Sequence, residues 1–286
     1  MQYVNLGCGD HYHPDWVNID IVSNNPRIIE YDLRKGIPLP DQSCDVVYHS
    51  NIIEHFRRHD ALVFMKECFR VLKPGGIIRV ATPDLEEIAR LYLEKLKAIK
   101  DGDCSKDPDY EWILLEMYDQ TVREKSGGLM QDYFRQNPIP NESFVLQRIG
   151  EEGRNIIKSI NSPPIRLSKR IRHLSYRQAF GYLRLMLNKI RSNVARIIVG
   201  SDGITALEVG QFRQSGEVHQ WMYDEHSLKK LLRSAGFTDP VKKAVTDSAI
   251  QGFGMFHLDV LPDGSIRKPD SFYMEAIRPN TRMFDD

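Results

Sequence analysis

Cysteine is scarce and scattered. The chain has four, Cys8, Cys44, Cys68 and Cys104, each at least 24 residues from the next, so it holds neither a C-x-x-C redox motif nor the paired cysteines of a zinc site. Long apolar runs are also lacking: no stretch approaches the roughly 18 uninterrupted apolar residues of a membrane-spanning helix. The opening MQYVNLGCGD carries neither the basic start nor the apolar segment of a secretory leader. A cytoplasmic protein with reduced thiols is the expectation. Net charge is absent as well, since 39 Lys and Arg balance 39 Asp and Glu. The balance conceals a separation, because Arg154 to Gly200 contains eleven basic residues and no acidic one, leaving the remainder strongly acidic. Such a split implies two regions of different character, one of which meets an anion or an acidic neighbour.

What is present is an alternation of short apolar strands and amphipathic helices. Tyr3 to Leu6 reads as a strand running into Gly7-Cys8-Gly9-Asp10, Trp16 to Ile21 as a second, Ile28 to Tyr31 as a third, and Cys44 to His49 as a continuous apolar run suited to a sheet covered on both faces. A helix is expected from Asp60, with Leu62, Met65, Phe69 and Leu72 on one face, stopped by Lys73-Pro74-Gly75-Gly76. A strand over Ile77 to Ala81 follows, and then a helix opened by Asp84 and Glu87 as a capping box. The pattern predicts a doubly wound, mostly parallel α/β sheet.

From Lys100 to Val218 the rhythm breaks into turn-rich and helical pieces, so we divide the chain into a discontinuous cofactor-binding domain (1–99 and 219–286) and a basic, mostly helical cap (100–218). The alternation resumes with a helix from Asp224 to Gly236 and closing strands near Val241 to Val245 and Phe272 to Ile277.

In open α/β sheets a ligand sits beyond the carboxyl ends of the strands where strand order reverses. Gly7 and Gly9 would let a ligand approach the backbone there; Asp20 ends the second strand, where a carboxylate can accept both ribose hydroxyls; Asp32 follows the third; and His49-Ser50-Asn51 end the fourth. The spacing weighs against a nicotinamide site, since no G-x-G-x-x-G opens a full helix and no acidic residue lies about 20 positions on.

These motifs carry a resemblance. V-N-L-G-C-G-D, W-V-N-I-D, D-L-R-K-G-I-P-L-P-D-Q-S-C-D-V-V-Y-H-S-N-I-I-E-H-F, R-V-L-K-P-G-G and A-T-P-D-L, spread over residues 3–85, together resemble class I methyltransferases of the methyltransferase-11 type. The resemblance implies a seven-stranded Rossmann-like sheet and S-adenosyl-L-methionine as cofactor. Gly7 and Gly9 would lie at its methionine part, Asp20 at the ribose and Asp32 near the adenine, with Asn5, Cys8, Ile21, Leu33, His49, Ser50, Asn51 and His55 completing the cofactor contacts. Two departures stand out: His11 replaces a third glycine, and Asn5 replaces an acidic residue. Asp20 also follows Gly9 by only eleven positions, too few for a full helix and a strand, so the first helix should be a stub or a loop and the pocket open on that side.

Methyl transfer from a sulfonium relies on alignment and needs a base only when the acceptor is a hydroxyl. No D/N-P-P-Y follows the fourth strand, which argues against nucleobase amines. Candidate bases are His219, His55 and His49, with His219 preferred because it stands where the cap rejoins the sheet. His11-x-His13 reads as a turn, and no metal centre is expected.

Within 176–199, Phe180, Leu183, Leu187, Ile190, Val194 and Ile197 recur at helical spacing among arginines and lysines. This basic amphipathic helix is either a lid packed on the catalytic domain or a dock on an anionic membrane surface. Nucleic acid is disfavoured because aromatics do not interleave with the charges. Proteins similar across the core and the segment R-K-P-D-S-F-Y-M-E-A (267–276) are grouped with surface polysaccharide biosynthesis, which implies O-methylation of a saccharide, phosphosugar or lipid-linked acceptor. A non-catalytic binding module on the same fold is the competing reading, and self-association stays open.

Overall fold

A computed structural model describes residues 1–23, 25–161, 200 and 202–280. The basic helix expected over 176–199 lies outside them. The seven strands are β1 (Tyr3–Leu6), β2 (Val17–Asp20), β3 (Ile28–Glu30), β4 (Cys44–Ser50), β5 (Leu72–Pro83), β6 (Thr238–Lys243) and β7 (Ser271–Ile277). They form one sheet in the order β3-β2-β1-β4-β5-β7-β6, with β7 antiparallel to both β5 and β6 and the remaining pairs parallel. This is the Rossmann-like methyltransferase sheet expected. Chain order runs outward in opposite directions from β1 and β4, which makes their carboxyl ends the natural ligand crevice.

Helix α1 (Arg58–Val71) buries Ala61, Phe64, Met65, Cys68 and Val71 against the sheet. It begins two residues before the expected Asp60, which sits in its first turn, where a carboxylate favours the helix dipole. Its last residue passes directly into β5 with no loop between. The helix ends just before Lys73-Pro74-Gly75-Gly76, as expected, and those residues also form a bulge inside the strand: Cys44 pairs with Leu72 while Val46 already pairs with Ile77. Gly76 suits this bulge because a Cβ there would sit 2.8 Å from the Lys73 carbonyl and 3.0 Å from that of Asp45.

Helix α2 (Leu85–Lys100) is capped by Asp84, which accepts from the Glu87 amide at 3.2 Å. The reciprocal half of the expected box is diverted, since the Glu87 carboxylate grips Arg90 instead. The helix Glu225–Ser234 has a complete capping box between Asp224 and Ser227, and Gly236 follows with a left-handed φ of 105°.

The sheet and its helices enclose a core of apolar side chains from β1, β4, β5, α1 and the Glu225–Ser234 helix. A second, separate core gathers Ile88 and Leu91 of α2 with Trp112, Ile113, Phe134, Val145 and others from the segment after it. That segment supplies the helix Asp107–Leu114, a π-turn at Leu115–Asp119, and the helices Gly128–Phe134 and Glu142–Asn161. The last of these is broken at Gly150, whose φ of 58° is left-handed. A buried pair, Glu116 with Arg148 at 2.7 Å, braces this second core. No helix among the described residues is long and apolar enough to cross a membrane.

Candidate active site

β1 ends in a turn that only glycine can make cheaply. Gly7 has a φ of 62°, and a Cβ on it would run into the side chain of Ile52, which follows β4. The Gly7 amide donates to the Ile19 carbonyl at 2.8 Å, and the Gly9 amide to the Asp20 carboxylate at 2.8 Å, so the glycine turn is laced to the tip of β2. Asn5 explains its own departure from an acidic residue. Buried in β1, its amide donates to the His11 carbonyl at 3.0 Å, a bond that a carboxylate could not donate. That bond ties down the loop that stands where a helix has no room. His11 in turn approaches Glu151 at 3.9 Å, so the side left open by the missing helix meets the helix Glu142–Asn161.

Beyond this turn lies a cleft of about 1020 Å³ at the carboxyl ends of β1, β2 and β4, lined by Gly7, Asp20, Ile21, Asp32, Leu33 and His55 among the expected residues. Tyr31, Ile52, Phe56 and Val63 add apolar wall, and Arg213 to Gly216 with Gln220 form the opposite side. Asp32 is committed: it caps the short turn Leu33–Lys35 and grips Arg34 through Nε at 2.8 Å and Nη2 at 3.1 Å, which holds its carboxyl below the usual range. Arg34 also donates to the Gln214 carbonyl at 3.0 Å, joining the two walls.

The remaining expected contacts are placed differently. Asn5, Cys8, Gly9, His49, Ser50 and Asn51 are not on the cleft lining. Burial pushes the Cys8 thiol up to about 12. Ser50 accepts from Arg267 at 2.8 Å, and Asn51 turns the chain with a φ of 54°. His49 lies wholly inside the protein with its ring edge-on to Phe64, centroids 5.3 Å apart. With neither nitrogen hydrogen-bonded, burial drives its pKa down to about 3.

His55 and His219 do come together. Their rings meet edge to face with centroids 4.8 Å apart, although 164 positions separate them in the chain. The contact is set by the backbone: Gln220 and Trp221 amides donate to the Glu54 carbonyl at 2.6 and 3.2 Å, and the His219 amide to that of Gln120 at 2.9 Å. Glu54 belongs to the same cluster and was not among the expected residues. Its side chain has no exposed surface, accepts from Thr82 at 3.2 Å through one oxygen, and leaves the other without a partner. Desolvation raises its carboxyl to about 7 and lowers both imidazoles below the ordinary histidine value. The buried Tyr223 hydroxyl beside Glu54 is also without a partner. His55 and His219 were both expected from the sequence, and Glu54, the neighbour of His55, was the member missed.

Residues 6–80 match the family described as a methyltransferase domain. Among curated proteins, the chain is 36% identical over 95 residues to a probable S-adenosylmethionine-dependent methyltransferase of Mycolicibacterium smegmatis, covering 27% of this chain and 36% of that one. It is 46% identical over 96 residues to a probable S-adenosylmethionine-dependent methyltransferase of Mycobacterium tuberculosis, covering 27% and 34%. The chain thus spans about a third of the length of the curated relatives it matches. A solved S-adenosylmethionine-dependent methyltransferase from Archaeoglobus fulgidus aligns at 10% identity with a TM-score of 0.35, covering 96% of this chain and 85% of that one.

Proposed function

We propose that this protein is a class I S-adenosyl-L-methionine-dependent methyltransferase that modifies a hydroxyl of a saccharide, phosphosugar or lipid-linked small molecule. The observation that carries the reading is a single cleft lined by the glycine turn at Gly7, the Asp20 carboxylate and His55, with the buried His219 ring packed against His55. Its volume of about 1020 Å³ is at the upper end of ordinary cofactor sites, leaving room for an acceptor.

The residues present suit the cofactor. Asp20 lines the cleft with a carboxylate able to accept ribose hydroxyls, Gly7 offers backbone unshielded by a side chain, and Ile21 and Leu33 supply apolar surface for a base. When bound, the cofactor supplies an electrophilic methyl on a sulfonium. The chain itself orients and desolvates the partners, and its His55–His219 pair offers lone pairs to activate the acceptor hydroxyl. His49, enclosed in the core, is left out of this role.

The saccharide assignment rests on the resemblance drawn from the sequence, across the core and residues 267–276 together, to proteins grouped with surface polysaccharide biosynthesis. Calorimetry with S-adenosylhomocysteine tests the foundation, with binding by the wild type expected. Labelled methyl transfer into a cell fraction tests catalysis, and an acceptor fraction free of glycans would exclude the sugar assignment. Binding of the homocysteine without any transfer would favour the non-catalytic module.

A further inference from the structure

We infer that Glu54, His55 and His219 form a binding site for one divalent transition-metal ion at the acceptor end of the cleft. One ligand atom from each of the three, a carboxylate oxygen and two imidazole nitrogens, lies within 4.8 Å of the others. Ligands cis on a metal at about 2.1 Å stand roughly 3.0–3.4 Å apart, so side-chain rotations of about an ångström complete the set. Among the described residues this is the grouping with such geometry.

The hydrogen-bond pattern is that of lone pairs held for a cation. Glu54 Oε1, His55 Nδ1 and His219 Nδ1 are all buried and without a partner. Leaving one such group unmade costs about 1–3 kcal/mol, and here each of the three clustered residues carries one. One supporting contact is in place: Thr82 donates to the other oxygen of Glu54 at 3.2 Å, the kind of second-shell bond that orients a ligating carboxylate. Nearby positive charges are compensated, Arg123 by Asp119 at 2.8 Å and Glu217 at 3.2 Å, and Lys268 by Glu152. A cation would therefore meet the Glu54 carboxylate without an unpaired competitor.

Two imidazoles with one carboxylate favour zinc, manganese, iron or cobalt over magnesium or calcium, which prefer all-oxygen shells. Three protein ligands leave coordination positions open, and His55 lines the cleft. The open positions would take an acceptor oxygen, and the bound ion, in place of a free imidazole lone pair, would activate that hydroxyl. That use of the ion rests on the methyltransferase reading, whereas binding of the ion does not.

The test uses the full-length, tag-free protein stripped with chelator and titrated with Co²⁺, followed by ligand-field absorption, and with Zn²⁺, followed by calorimetry. One ion per chain is expected, with Mg²⁺ failing to compete. Glu54→Gln and His219→Ala should each weaken Zn²⁺ binding about 100-fold or more, while His13→Ala should match the wild type. Zn²⁺ should raise the thermal midpoint of the wild type and not of the two ligand variants. If His219→Ala fails to fold, Glu54→Gln and the wild-type Co²⁺ spectrum still decide, because a spectrum without imidazole character overturns the site. Failure of the wild type to bind Zn²⁺, Co²⁺ or Mn²⁺ overturns it, as does unchanged affinity in both ligand variants. S-adenosylhomocysteine calorimetry on the same preparations separates the readings: homocysteine binding without metal binding removes the ion and keeps the methyltransferase, and the reverse removes the methyltransferase and keeps the ion.

Discussion

Two regions of the proposed site are built on opposite principles. Around the glycine turn, Gly7, Gly9, Asp20 and Asp32 are tied to one another, to the backbone or to Arg34, so their polar groups are largely partnered within the protein. In the cluster around His55, by contrast, Glu54, His55, His219 and Tyr223 keep buried polar atoms unpaired. Unmade buried hydrogen bonds are costly, and the contrast teaches that the two regions meet that cost differently: the turn satisfies its groups from within, whereas the cluster leaves them open.

The largest effect that would sharpen this contrast concerns His49, an orphaned group that does not reach the cleft. Its folded pKa of about 3 lies below the ordinary 6.5, so below pH 6.5 the unfolded chain binds more protons. Stability should be complete above that pH and fall towards pH 3, by up to ~1.4 kcal/mol per unit. Denaturant unfolding across this range should show His49→Phe flattening the curve; an unchanged slope would show that His49 is not kept neutral. Next, Asp20→Ala should weaken S-adenosylhomocysteine binding roughly 100-fold, about 2.7 kcal/mol, and calorimetry reads it directly. Gly7→Ala should destabilise by about 1–3 kcal/mol because it combines a left-handed φ with a blocked Cβ. Adding Ile52→Ala should recover part of that loss, and strict additivity in the double-mutant cycle would disprove the contact. The smallest effect belongs to Arg34→Ala. As Arg34 is half exposed, cutting its bond to Gln214 should cost less than about 1 kcal/mol of stability and change homocysteine affinity only a few-fold.

The elements around the glycine turn were legible because their parts are local. A glycine turn, a carboxylate ending the next strand and a continuous apolar β4 are each written within a few residues, and Asp84 announced its helix by capping chemistry. Lys73-Pro74-Gly75-Gly76 was half legible: α1 ends just before it, while its second use as a bulge within β5 shows only in the pairing of β4 with β5. The role of Asn5 was hidden because its partner is a backbone carbonyl, which every residue has. Glu54 was passed over because a glutamate beside a helix start reads as solvated, and its burial depends on the chain returning at Gln220 and Trp221.

The direct passage of α1 into β5 has a mechanical meaning. Val63, Phe64 and Glu67 line one side of the cleft from α1, and with no slack between helix and strand that side is rigidly geared to the middle of the sheet. The residues facing it are held more lightly: Gln214 hangs on the exposed arm of Arg34, and Gln220 on a backbone bond to Glu54.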